Sequence, residues 1–132
     1  MSKAETADTQ PKGTAMSSIT RRPGEGEAFI RDNRTVTIKV DLPELSIHEV
    51  DFEPSFEVAP HTHGHVDTLY VVEGQIEILG DEEPQILGPG ALHAAPTGVK
   101  HGFRNPGPGR ARVLVFHAPD GGFSNVIRQT TT

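Results

Sequence analysis

The segment 60-PHTHGHVDTLYVVEGQIEIL-79 sets His61, His63, His65 and Asp67 at every second position, then runs into an apolar, strand-like stretch. Imidazole nitrogens and a carboxylate oxygen are ligands for divalent Fe, Mn, Ni, Cu or Zn. On an extended strand, alternate side chains share a face, so His61 and His63 are expected to project to the same side, close enough to share one ion. His65 and Asp67 have the same parity, with Gly64 between them as a place to bend. Three histidines and a carboxylate fill four positions and leave one or two for water, O2 or substrate, which is the open arrangement of catalytic sites. The plainer reading is a row of solvated or hydrogen-bonded histidines on a strand, and this pair alone leaves both open.

A second stretch, 88-GPGALHAAPTGVKHGFRN-105, changes that balance. Gly90 turns one hairpin and Pro96-x-Gly98 another, and His101 then opens a strand that a folded sheet can bring back to the first histidines. His93 and His117 fall on expected strands, either lining a cavity or resting as satisfied core or surface residues. His48 shares a face with Val50 and Phe52, which predicts burial. Tyr70 follows Asp67 by three residues and is expected to face away from it and pack in the core. Phe103, Phe116 and Phe123 read as core or pocket wall.

These groups need a scaffold of short strands. 34-RTVTIKVD-41 alternates Val36, Ile38 and Val40 against polar residues, and 45-LSIHEVDF-52 alternates again. 68-TLYVVEGQIEILG-80 reads as two strands joined at Glu73-Gly74, where glycine permits a positive φ. Short strands at 85–87, 91–95 and from His101 follow, then a core strand in 110-RARVLVFHA-118. Residues 119–128 suggest a short strand or helical turn. No segment carries a helical period over ten residues, so the fold class is all-β, an antiparallel sandwich or barrel. Residues 1–26 read as a disordered tail, 27–128 as one domain, and 129–132 as a C-terminal tail.

The chain has 132 residues, with 12 Lys+Arg against 18 Asp+Glu and a net charge of −6. That length is too short for a (β/α)8 barrel, where H-x-H also marks metal sites. An acidic chain without a basic cluster argues against nucleic acid and against an anionic membrane surface. There are no cysteines, so any metal must be held by nitrogen and oxygen. With no apolar leader region and no membrane-length stretch, the default expectation is a cytoplasmic protein.

The two stretches resemble the paired motifs of the cupin superfamily. The first is H-x-H, three or four residues, Glu, six residues, Gly; His61, His63, Asp67 and Gly74 match that spacing, with Asp in place of Glu. The second is Gly, five residues, Pro-x-Gly, two residues, His, three residues, Asn; Gly90, Pro96, Gly98, His101 and Asn105 match every position. The resemblance covers roughly residues 45–118. It implies a double-stranded β-helix, or jelly-roll barrel, with a metal inside one end held by His61, His63 and His101. Asp67 then stands at the carboxylate position. Gly74, Gly90, Pro96, Gly98 and Asn105 are implied to be architecture. Asp is shorter than Glu by about 1.5 Å, one C–C bond. The backbone therefore moves, a water bridges, or three histidines suffice, with His65 as the substitute that reaches further and Asp67 as a base. By resemblance the function is that of a metal-binding enzyme acting on a small organic molecule, dioxygenase-like. A non-redox isomerase, cyclase or lyase, or a cupin that only binds a small ligand, are the alternatives. Cupins of this size commonly pair as homodimers through an N-terminal strand, here sought in 27–41.

Overall fold

The computed structural model describes residues 17–130. The tails expected over 1–26 and 129–132 therefore lie partly outside the described residues. Of the expected N-terminal tail, residues 22–25 form a turn whose Arg22 and Glu25 carbonyls both accept from Lys39 Nζ, at 3.5 and 2.6 Å.

Among the described residues, the regular structure is almost entirely strand. β1 (Glu27–Arg31), β2 (Arg34–Asp41) and β3 (Ser46–Phe52) are followed by β4 (Glu57–His61), β5 (Val66–Glu73), β6 (Ile76–Leu79) and β7 (Gln85–Leu87). β8 (Leu92–Ala95), β9 (His101–Arg104) and β10 (Ala111–Ala118) precede the one described helix, α1 (Phe123–Gln129). The strands form two antiparallel sheets, one in the order β1-β2-β3-β10-β5-β8 and one in the order β4-β9-β6-β7. This is the jelly-roll expected from the sequence, as two packed sheets that hydrogen bonding does not close into a continuous barrel.

Period-two patterning builds the interior. Val36 and Ile38 of β2, Val50 and Phe52 of β3, Leu69 and Val71 of β5, and Val113 and Val115 of β10 are buried on one face of the larger sheet. Ile76 and Ile78 of β6 meet them from the smaller sheet. Phe52 anchors an aromatic group, with ring centroids 5.0 Å from Phe56 and 5.6 Å from Phe103. Outward positions carry ion pairs instead, such as Arg110 with Asp51 at 2.6 Å and Arg112 with Glu49 at 3.4 Å. Helix α1 tucks Ser124 and Ile127 against the larger sheet. Arg31 Nη2 donates to the carbonyls of Ile127 and Thr130 at 2.8 and 2.7 Å, satisfying acceptors left free at the helix C-terminus.

Two aromatic expectations are corrected. Tyr70 does face away from Asp67, but it lies between the inward Leu69 and Val71 and so points out, 38 % exposed, not into the core. Phe116 is half-buried on the outer face between the inward Val115 and His117, so it lines neither core nor cavity. Phe103 and Phe123 pack against the core as expected.

The residues marked as architecture act through the backbone. Asn105 is buried, its Nδ2 donates to Phe52 O and Gly109 O, and its Oδ1 accepts from Gly107 N. Gly74 joins β5 to β6 at φ +78°, a conformation side-chain-bearing residues rarely adopt. Among the described residues, no helix is long and apolar enough to cross a membrane.

Candidate metal centre

Three parts of the fold converge at one end of the space between the sheets. The smaller sheet supplies a direct cross-strand pair, His61 of β4 opposite His101 of β9. The larger sheet supplies another, Asp67 of β5 opposite His117 of β10. The loop 62–65 crosses from one sheet to the other and carries His63 and His65. It is tied to the second motif by Gly98 N, which donates to His63 O at 3.0 Å.

The expectation that His61 and His63 share a strand face is therefore corrected. β4 ends at His61, after a register irregularity between Val58 and His61, and His63 lies beyond the last strand pair. Pro60 cannot donate to a ladder, which helps end the pairing there. The two imidazoles meet all the same, with Nε2 atoms 2.8 Å apart.

The hydrogen bonds fix which nitrogens face the centre. His61 Nδ1 lies 2.8 Å from Ala59 O and His101 Nδ1 lies 2.8 Å from Val99 O. A carbonyl only accepts, so both Nδ1 atoms carry hydrogen and a neutral ring presents its Nε2 lone pair inward. Yet His101 Nε2 lies 2.9 Å from Asp67 Oδ2. A lone pair against a carboxylate is repulsive, so this contact calls for a proton or a metal ion between the two groups. His61, His63, Asp67 and His101 each offer one ligand atom, all within 4.8 Å of one another. The donor set fits a divalent transition metal, and Asp67 reaches the cluster despite its shorter side chain.

His65 and His117 complete a second group. With His63 and Asp67 they again place four ligand atoms within 4.8 Å. The two sets share His63 and Asp67, so the cluster offers two adjacent positions for an ion. His117 Nε2 lies 3.3 Å from Asp67 Oδ2. His65 Nε2 and His117 Nδ1 are buried without a hydrogen-bond partner among the described residues. Gly121 packs so closely on the His65 ring that a Cβ there would overlap it.

Electrostatics keep the cluster ready for a cation. Burial, with His61 and His65 nearby, lowers His63 to a pKa of about 4, so it is neutral near pH 7. Burial and His117 lower His65 as well. Burial alone would raise the Asp67 carboxyl, but hydrogen bonds and charge from His117 and His101 outweigh it and hold it below its ordinary value. Beneath the cluster, burial and His117 lower His48 to about 4, and its Nε2 lies 2.8 Å from Ser124 Oγ. His48 is thus buried as its parity predicted, one layer below the ligands. His93 stands apart. It lines a separate cavity of about 350 Å³ with Leu79 and Lys100.

The cluster opens into a cavity of about 510 Å³ between the sheets, with mostly apolar walls that include Val36, Val115, Phe56, Phe103 and Phe123. That size is ordinary for small-molecule sites. Over residues 48–117 the chain matches the Cupin domain family. It is a cupin. Among solved structures, this cupin resembles an RmlC-like cupin from Shewanella frigidimarina, with a TM-score of 0.69 at 23 % identity over 79 % of this chain and 93 % of that one. KdgF from Halomonas sp. gives 0.67 at 25 % identity over 79 % and 95 % of the two chains. The polyketide cyclase RemF from Streptomyces resistomycificus gives 0.66 at 22 % identity over 80 % and 81 %. No curated protein matches this cupin.

The same cavity wall carries a basic residue outside both sequence motifs. Arg34 lines it, beside the apolar side chains and the exposed Glu57. The signal was present in the sequence, because Arg34 has the same parity as Val36 and Ile38.

Proposed function

We propose that this cupin is a metal-dependent enzyme acting on a small organic molecule, with the ion held by His61, His63, His101 and Asp67. The observation that carries this reading is the commitment of the His61 and His101 Nδ1–H groups to backbone carbonyls, which leaves their Nε2 atoms for a shared cation beside Asp67. All donors are nitrogen or oxygen, which suits Fe, Mn, Ni, Cu or Zn. When bound, such an ion supplies a Lewis acid and, where redox-active, electrons for oxygen chemistry.

The chain's own residues supply the rest. The apolar cavity holds the substrate away from bulk water, so that each charge beside it acts more strongly. Asp67, held ionised, accepts a proton from an enolisable substrate where it is not itself a ligand. In the dioxygenase-like reading, the substrate anion so formed then reacts with O2.

A second reading is favoured by the pairing of Asp67 with His117 at 3.3 Å. A carboxylate and an imidazole side by side suffice to take a proton from one atom and return it to another. That is isomerase, cyclase or lyase chemistry without an oxidant, and RemF, a polyketide cyclase, shares the fold.

The deciding experiment has two stages. Metal content of the purified full chain is measured beside His101→Ala; near-stoichiometric metal that vanishes in the variant supports the site, and its retention sinks it. Turnover of a panel of enolisable dicarbonyl and catechol compounds is then followed with and without O2. Oxygen uptake supports the first reading, and anaerobic turnover the second.

The proposal includes a homodimer formed through β1. That strand is the edge of the larger sheet, and Ile30 on it is 78 % exposed.

A further inference from the structure

We propose that Arg34 forms a carboxylate-binding subsite in the cavity that holds the histidine cluster, so that the small organic substrate is an acid. The inference rests on the metal-dependent reading for what happens at the other end of the substrate.

Arg34 occupies an inward position of a core strand. It follows the parity of Val36 and Ile38 on β2, both buried. Its cross-strand neighbour is Phe52, which is fully buried. Arg34 opens β2 and is half-buried, and inward-facing positions seldom hold arginine unless a partner satisfies the guanidinium. Here no carboxylate lies within ion-pair distance of Arg34 among the described residues. Among the described residues its one side-chain hydrogen bond is a long contact to Asn33 Oδ1 at 3.4 Å. Its guanidinium carbon sits 5.3 Å from the Phe56 ring centroid, so the group is held over an aromatic face while its donors remain largely unused. Burial and the nearby Arg31 lower its pKa, opposed by Asp32, as befits a cation short of anionic partners.

The strand registers place Arg34 away from the metal ligands. His117 is opposite Ser46 and Arg34 is opposite Phe52, so the two lie six residues apart along β3. At the rise of an extended strand this is ~20 Å of backbone, shortened by side chains reaching inward. An elongated molecule in the cavity thus meets donors for a metal at one end and a lone guanidinium towards the other.

The chemistry selects a carboxylate. A planar guanidinium with free donors matches a carboxylate in a two-bond fork. Among the described residues Arg34 is the only Arg or Lys lining this cavity, and the carboxylates that line it are Asp67 and Glu57. That single positive charge suits a monoanion better than a phosphate dianion.

The test uses dihydrocaffeate, whose catechol can chelate an ion and whose flexible arm ends in a carboxylate, against its uncharged amide. Both are titrated calorimetrically into the metal-loaded full chain, wild type and Arg34→Met, with metal content measured on each sample. The expected result is a preference for the acid of about ten- to hundredfold in wild type, the scale of a charge-assisted fork, falling to near unity in Arg34→Met. Amide affinity and metal content are expected to stay unchanged. Equal binding of acid and amide by wild type, failure of both to bind a metal-loaded chain, or an acid preference that survives Arg34→Met would each overturn the subsite. If the chain takes up no metal, the metal-dependent reading fails on its own. The same comparison with hydrocinnamate and its amide then decides the subsite by the same criteria. Should Arg34→Met not fold, Arg34→Gln replaces it, and the wild-type comparison of acid with amide stands without any variant.

Discussion

Asp67 Oδ2 lies 2.9 Å from His101 Nε2, across 34 positions of the chain. His101 has its other nitrogen committed to Val99 O, so the contact calls for a proton or a metal ion between the two groups. Asp67 is delivered by β5 of the larger sheet and His101 by β9 of the smaller one. The centre is therefore a joint between sheets, and each side of it can be tested separately.

Removing His101 takes one imidazole from the set and leaves Asp67 facing a gap. In His101→Ala, Zn2+ affinity of chelator-stripped protein should fall by about a hundredfold or more, and in the isosteric Asp67→Asn by roughly ten- to hundredfold. Calorimetric Zn2+ titration of both variants beside wild type is the check. Wild-type affinity in His101→Ala would remove the proposed site altogether. Wild-type affinity in Asp67→Asn alone would make Asp67 a base or a bystander.

That His61, His63, Asp67 and His101 come together was legible from residue type and from the spacing of the two motifs, not from strand parity, which fails at His63. The alternation of Val36 with Ile38, and of Val113 with Val115, made the core strands legible, because parity within a strand is a local property. What local reading missed is set by pairing. That His63 leaves the strand and still meets His61 depends on a loop between sheets. That His117 joins Asp67 depends on the β5–β10 register. Tyr70 looked like core because it is aromatic and flanked by apolar residues, but its parity, shared with Leu92 across β8, puts it on the outer face. Arg34 was overlooked because a charged side chain at a strand end reads as solvated until the cavity beside it is known.

Acid should weaken the fold through His48. Its side chain is fully buried, and its pKa falls from 6.5 to about 4. Between those values the unfolded chain binds a proton there that the folded chain refuses, so stability decreases as pH falls through this window and levels off below it. The loss amounts to ~3 kcal/mol at most. His63, also lowered, acts in the same direction. The His48 share is isolated by comparing denaturant unfolding of metal-free wild type and His48→Gln at several pH values from about 7 to about 4. A shallower acid slope in His48→Gln is the expected outcome, and parallel slopes would exclude His48 as the cause.

The turn between β5 and β6 has room for nothing larger than glycine. Gly74 has φ +78°, and a Cβ there would strike the Arg110 carbonyl and sit 2.8 Å from Ala111 Cα. Both contacts are to backbone, so neither can swing aside. Gly74→Ala should cost ~2 kcal/mol or more, whereas Gly88→Ala, with open space around it, should stay within ~0.5 kcal/mol of wild type. Thermal melts of both variants decide the matter. A Gly74→Ala chain as stable as wild type would show that the turn relaxes more freely than its packing implies.

The edge of the larger sheet is where the proposed homodimer can be tested. β1 pairs with β2 on one side and ends the sheet order on the other. An open strand edge invites pairing unless charge protects it. The charged residues at its ends are engaged elsewhere: Glu27 pairs with Arg128 at 2.9 Å, and Arg31 reaches under α1 to the Ile127 and Thr130 carbonyls. Ile30 is left exposed between them. A second copy related by a two-fold axis can pair β1 antiparallel to itself and cover both isoleucines at once. Light scattering coupled to size exclusion should therefore report a dimer for wild type and a shift to monomer for Ile30→Glu, with the melting behaviour of the folded domain retained. A wild-type monomer at ~100 µM, a concentration where a specific interface of ordinary affinity is filled, would overturn the β1 assignment.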